Sequence, residues 1–86
     1  MGWRIAWSDT AIRDLQSLDP TVARRIVKRL ETAATSPDRY FARLVGSDDY
    51  KLRIGDYRLL AALARGTQTI LVERVDHRSR IYARSR

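Results

Sequence analysis

Residues 50–63 read YKLRIGDYRLLAAL, and the fold turns on how this stretch is paired. Tyr50, Leu52 and Ile54 alternate with Lys51 and Arg53, the two-residue period of a strand with one apolar face. Gly55-Asp56 supplies a tight connection, after which Tyr57 to Ala64 continue as a more fully apolar strand. The stretch predicts a hairpin whose apolar positions feed a core while Lys51, Arg53 and Arg58 stand apart from it.

The same patterns extend in both directions. Trp3, Ile5 and Trp7 alternate with Arg4, Ala6 and Ser8, which predicts a first strand with both tryptophans in the core. Ser8 or Asp9 can cap the next segment, where Ala11, Ile12, Leu15 and Leu18 share a helical face until Asp19-Pro20 interrupts it. From Pro20, suited to a first helical turn, Val22, Ala23, Ile26, Val27, Leu30, Ala33 and Ala34 form an apolar stripe opposite Arg24, Arg25, Lys28 and Glu31. That helix ends before Ser36-Pro37, and residues 36–49, with turn formers and no period, read as a loop over the surface. Past the hairpin, Gly66-Thr67 turns the chain and Thr69 to Val75 is rich in β-branched residues, a last strand before the tail DHRSRIYARSR. One strand, two helices and a three-strand meander predict an α+β domain with the helices packed on one face of the sheet.

Composition narrows the chemistry. Eighty-six residues make one domain, residues 1–86, with a modest core, since a chain of this size buries only roughly 60% of the surface its unfolded form exposes. The sequence has no cysteine and one histidine, which excludes disulfide staples, thiolate metal sites and a multi-histidine cage, so neither metal nor cofactor is expected. The longest apolar run, Leu59 to Ala64, falls far short of the ~20 residues that span a bilayer, and the expectation is a soluble, cytoplasmic protein without a membrane partner.

The net charge of +7 is not spread evenly. Residues 1–49 hold eight Lys/Arg against seven Asp/Glu, and residues 50–86 hold nine against three. Fifteen of the seventeen cations are arginine, whose planar fork suits bidentate contact with phosphate. A basic half of this kind points to an anionic partner such as nucleic acid.

At this point the residues resemble the RelE/ParE superfamily of toxins from prokaryotic toxin–antitoxin systems. The resemblance rests on WSDTAIRDLQSL, on LVG, on the hairpin Arg53, Gly55, Asp56, Tyr57, Arg58, and on the ending His77, Arg78, Tyr82 within VDHRSRIY, and it covers almost the whole chain. It implies a RelE-like β-α-α-β-β-β fold with a mainly antiparallel twisted sheet. It also implies a metal-independent endoribonuclease of the RelE branch, cutting messenger RNA in the ribosomal A site by attack of the 2′-hydroxyl on the adjacent phosphate. The implied partner is a RelB-like antitoxin, an acidic or amphipathic chain that covers the basic surface.

Under that resemblance Lys51, Arg53, Arg58, Arg78 and Tyr82 fall on the family's catalytic and phosphate-holding positions. Arg58 and Arg78 are the first candidates for the scissile phosphate, because a guanidinium stays charged and can hold two oxygens at once. Lys51 serves as a base where neighbouring cations crowd it, and otherwise as a phosphate contact. Arg53 stands where family members often carry a second lysine and is confined to electrostatic work, since arginine hardly deprotonates in a protein. Tyr82 would stack on a nucleotide or join a proton relay. His77 is a candidate acid or base because imidazole titrates near neutrality. Arg80, Arg84 and Arg86 form a phosphate-attracting tail. Two other readings stay open at this level: the ParE branch, which has a similar fold and poisons DNA gyrase, and a non-catalytic RNA- or ribosome-binding module.

Overall fold

The computed structural model describes residues 2–77. Along them run β1 (Arg4–Trp7), α1 (Asp9–Gln16), α2 (Pro20–Ala34), α3 (Pro37–Tyr40), β2 (Ala42–Arg43), β3 (Tyr50–Ile54), β4 (Tyr57–Ala64) and β5 (Thr69–His77). The strands form one sheet in the order β1-β5-β4-β3-β2. β1 joins β5 in parallel, and the other neighbours are antiparallel. The predicted α+β architecture and its meander are therefore present.

The helices form for the local reasons the sequence offers. The Ser8 hydroxyl accepts from the Ala11 amide at the start of α1, and Asp19 accepts from the Thr21 amide ahead of Pro20 in α2, so each helix satisfies one of its orphan donors at once. On α2, Ile26, Leu30, Ala33 and Ala34 are buried, the spacing of a single helical stripe. That stripe and Ala11 cover Leu52 and Ile54 of β3, Leu59 and Ala61 of β4, and Ile70, Val72 and Val75 of β5. Trp3 and Trp7 are half-buried and pack against the margin of this cluster instead of its centre, because β1 is an edge strand.

Residues 36–49 depart from the predicted loop. The segment contains the single turn α3 and the two-residue β2, which pairs with β3 through Ala42↔Lys51 and Arg43↔Tyr50. Phe41 between them is 6% exposed and belongs to the core. Arg65, in the turn just after β4, ties this segment down: its guanidinium binds both Asp38 oxygens at 2.8 and 3.2 Å, donates to Tyr50 Oη at 3.3 Å and lies 6.0 Å from the Trp3 ring centroid. The Asp38 carboxyl is held below its ordinary range by the hydrogen bond from Arg65.

The free edge of β5 is closed by α1. β1 ends at Trp7, opposite Val72, so the remaining residues of β5 lack a strand on that side. Ser8 continues the pairing, its amide donating to Val72 O at 2.9 Å and its hydroxyl to Glu73 O at 3.0 Å. Asp14, two turns into α1, accepts from the Val75 amide at 3.0 Å and from Arg74 Nε at 2.8 Å. A helical carboxylate thus stands in for a backbone acceptor of a missing strand.

Candidate phosphate-binding site

The alternation that builds the core also sorts the cations. With Leu52, Ile54, Leu59 and Ala61 turned to the helices, Lys51, Arg53 and Arg58 fall on the opposite face. Arg53 and Arg58 are direct cross-strand partners, and Lys51 stands opposite Leu60, one repeat along. Gly55 holds the two strands in this register with φ +59°, the left-handed value that the first central position of a type II′ hairpin requires and that glycine adopts without strain. Arg53 is exposed, Lys51 half-buried and Arg58 only 7% exposed. Directly opposed like charges oppose sheet formation, so a pair of arginines in this place is an arrangement suited to an anion lying across both.

The β4–β5 ladder contains an irregularity that decides what faces Arg58. Leu60 pairs with Arg74 but Ala61 pairs with Val72, so Glu73 is an extra residue in β5, a β-bulge. In the register that holds from Ala64↔Thr69 to Ala61↔Val72, Arg58 would oppose Val75; the bulge moves it to Asp76 and turns Val75 into the core. A one-residue shift exchanges the two faces of a strand. Asp76 is buried, 5% exposed. Its Oδ1 accepts from the His77 amide at 2.7 Å and its Oδ2 lies 3.6 Å from Arg74 Nη2. No feature of the sequence singled out Asp76; only the register brings it to the site.

Glu73, the bulged residue, is associated with Asp49. Burial, and then the nearby Asp49 carboxylate, push the Glu73 carboxyl above its ordinary range, as expected when two carboxyl groups share a desolvated place. The structure therefore sets three cations and a carboxylate pair along neighbouring strands.

The remaining candidates divide. His77 pairs with Tyr57 in the register, and their rings meet edge to face at 5.4 Å; this puts its row on the alternate side of the sheet from Arg58 and Asp76. The structure does not bring His77 together with Lys51, Arg53 and Arg58. Arg78, Arg80, Tyr82, Arg84 and Arg86 lie outside the described residues. Among the described residues no group of three or more His, Cys, Asp or Glu is arranged to hold a metal ion, and no helix is long and apolar enough to cross a membrane.

The comparisons with known proteins fall in line with this architecture. The sequence model described as the ParE toxin of type II toxin–antitoxin systems, parDE, matches residues 5–82. No curated protein sequence matches. Among solved structures, the chain is similar to one in the RelBE2 toxin–antitoxin complex from Mycobacterium tuberculosis, at 28% identity and a TM-score of 0.81, covering 92% of this chain and 94% of that one. It is also similar to chains of the intact E. coli RelBE complex (22% identity, TM-score 0.75, 87% and 95% covered) and of the archaeal RelE–RelB complex from Pyrococcus horikoshii (23%, 0.74, 93% and 99%); at these identities the likeness is one of fold. With 78 consecutive residues, 5 to 82, inside the family match and the RelE-like sheet and helices around it, the chain belongs to the RelE/ParE superfamily, as a member of the ParE toxin family of type II toxin–antitoxin systems.

Proposed function

We propose that this toxin is an mRNA interferase of the RelE type: a ribosome-dependent endoribonuclease that attacks the scissile phosphate with the adjacent 2′-hydroxyl. The observation that carries the reading is the cross-strand pair Arg53↔Arg58 with Lys51 one repeat away on the same face. Such a grouping offers guanidinium forks to the non-bridging oxygens of a phosphate, and stabilises the extra negative charge that the five-coordinate phosphorane develops. Arg58, the most buried of the three, is assigned to the phosphate, Arg53 to electrostatic support, and Lys51, the one side chain of the three able to exchange a proton, to the 2′-hydroxyl. Arg78 and Tyr82 are added on the family pattern alone.

Primer extension on mRNA from a translating extract tests the reading. Cuts within codons are expected with the parent chain, and Arg58→Ala and Arg78→Ala are each expected to abolish them with the circular dichroism spectrum retained. Undiminished cutting by both variants would remove these residues from the mechanism. The second reading, a gyrase poison, is favoured by the name of the matching family. It predicts inhibition in a supercoiling assay run alongside, without cuts in mRNA.

An antitoxin is the partner proposed for this chain, since the similar solved chains come from toxin–antitoxin complexes and the C-terminal 37 residues carry an excess of six cations. An acidic or amphipathic segment would neutralise that surface. Co-purification with the product of a neighbouring small gene is the expected outcome, and normal growth of cells overproducing the chain alone would count against the toxin reading.

A further inference from the structure

The outer face of α2 carries charge that the fold does not use. Ile26, Leu30, Ala33 and Ala34 turn to the core, which leaves Arg24, Arg25, Lys28 and Arg29 exposed on the other side. They stand in two columns, Arg24 with Lys28 and Arg25 with Arg29, each pair four residues apart, a spacing that brings helical side chains to roughly 5–6 Å between Cβ atoms. Like charges at that spacing weaken a helix. The helix dipole favours cations in the last turn, and the last turn of α2 has none. Among the described residues no ion pair reaches any of the four, although Glu31 lies one turn from Lys28. The acids of neighbouring elements are engaged elsewhere, Asp14 with Arg74 and Asp38 with Arg65. The row continues into α3, where Arg29 and Arg39 lie 5.5 and 5.9 Å from the centroid of the same Tyr40 ring.

The face is also concave. Arg25, Lys28, Arg29 and Thr32 line one depression, and Ala23, Arg24, Val27, Lys28 and Glu31 line a second on the far side of Lys28. Three cations around one hollow suit a phosphate, whose oxygens take several charge-assisted donors at once. That hollow has no apolar residue in its lining, so it offers the buried face of an amphipathic protein helix nothing to pack on. Because the apolar stripe of α2 packs on the sheet, the cations point away from Lys51, Arg53 and Arg58, and a polyanion held by them leaves the candidate phosphate site open. We propose that the outer face of α2, with Arg24, Arg25, Lys28 and Arg29 and its extension to Arg39, docks the backbone of a structured RNA while the strand to be cut lies on the opposite side of the sheet. Double-stranded RNA is recognised through its shape and its backbone, to which a fixed array of charge on one helix is suited. The choice of RNA as occupant rests on the ribonuclease reading above.

The test compares the full chain with Arg25→Gln/Arg29→Gln and, as an equal loss of charge elsewhere, with Arg4→Gln/Arg13→Gln, two exposed arginines on β1 and α1. Binding to a fluorescein-labelled RNA duplex of about two helical turns is followed by anisotropy over a range of salt concentrations. The α2 variant is expected to lower the slope of log K against log salt by about 1.5, and the affinity at ~0.1 M salt by about 30-fold, since each phosphate contact contributes roughly 0.7–0.9 to the slope. The control variant is expected to change the slope by less than about 0.5. Removing a like-charge pair should leave the urea midpoint of the α2 variant at or above that of the parent. In mRNA cutting on programmed ribosomes, the same variant is expected to raise the half-saturating concentration by about tenfold with the rate at saturation unchanged, the mark of a binding contact remote from the chemistry. An unchanged slope in the α2 variant, or an equal drop in both variants, would overturn the assignment. Retained RNA affinity beside weakened binding of the co-purifying antitoxin would also overturn it and give the face to an acidic protein. A parent that binds the duplex through α2 but cuts no mRNA would uphold the docking face and overturn the ribonuclease reading instead.

Discussion

Asp14→Ala should be the most damaging single change on the surface of α1. Asp14 is 18% exposed at its side chain, Arg74 32%, and the carboxylate accepts from Arg74 Nε at 2.8 Å, from Arg74 Nη2 at 3.4 Å and from the Val75 amide at 3.0 Å. A hydrogen bond to a charged group contributes about 1.5–3 kcal/mol, and a buried donor left without a partner costs about 1–3 kcal/mol. Water can reach roughly a third of Arg74 and compensates there, whereas the Val75 amide at the edge of β5 has no strand to replace Asp14. The sum is a loss of about 3 kcal/mol, out of a total that for a domain is roughly 5–15 kcal/mol. For a chain of this length that corresponds to a melting temperature lower by about 12–24 °C. Urea titration followed by the fluorescence of Trp3 and Trp7 measures it, with the midpoint falling at constant slope. Asp14→Asn should fall between, because an amide oxygen can still accept from Val75. A cost below about 1 kcal/mol for Asp14→Ala, the value of an ordinary surface ion pair, would refute the idea that α1 completes the edge of the sheet.

Three further outcomes are expected. Leu59→Ala, at a fully buried position of the central strand β4, should cost about 2–5 kcal/mol through lost transfer energy and the cavity left behind, read by the same titration. Gly55→Ala should cost about 1–2 kcal/mol, because an alanine at φ +59° bears the left-handed penalty; the crowding term is absent, since a Cβ there meets nothing within 4 Å. Glu73 has a folded pKa raised above its unfolded value by burial and by Asp49, so its contribution to stability is fully present below the unfolded pKa near 4.5 and is lost as pH rises through the folded value. Glu73→Gln should therefore be more stable than the parent at pH 7 and equal to it at the acid end of that window. Equal stability of the two at pH 7 would show that Glu73 titrates normally.

Periodicity carried most of the architecture. The alternation around Leu52 and Ile54, the stripe from Val22 to Ala34 and the β-branched run from Thr69 are long enough to reveal which face is buried, and the elements lie where those patterns put them. Lys51, Arg53 and Arg58 could be placed on one face for the same reason, given the tight turn at Gly55-Asp56. Residues 36–49 gave no such signal: α3 has four residues and β2 two, about one period each and too short for a pattern to repeat, and their place depends on Phe41 in the core and on Arg65 in the turn after β4. Asp76 was illegible because its partner depends on a bulge between Leu60 and Ala61, which leaves no mark in composition. His77 stands on the other face from the cations for a related reason: its row follows from the shifted register.

The parallel pairing of β1 with β5 joins Arg4 to Thr69 and Trp7 to Val72, positions 65 residues apart in a chain of 86. β1 therefore waits for β5, and no fragment that lacks β5 can give β1 its neighbour in the sheet. Closing so long a loop before any contact rewards it makes folding slow relative to a helical domain of this size. A truncated product ending before Thr69 would lack both the neighbour of β1 and the strand whose register sets Asp76 opposite Arg58, so a fragment without β5 leaves both β1 and β4 unpaired on that side.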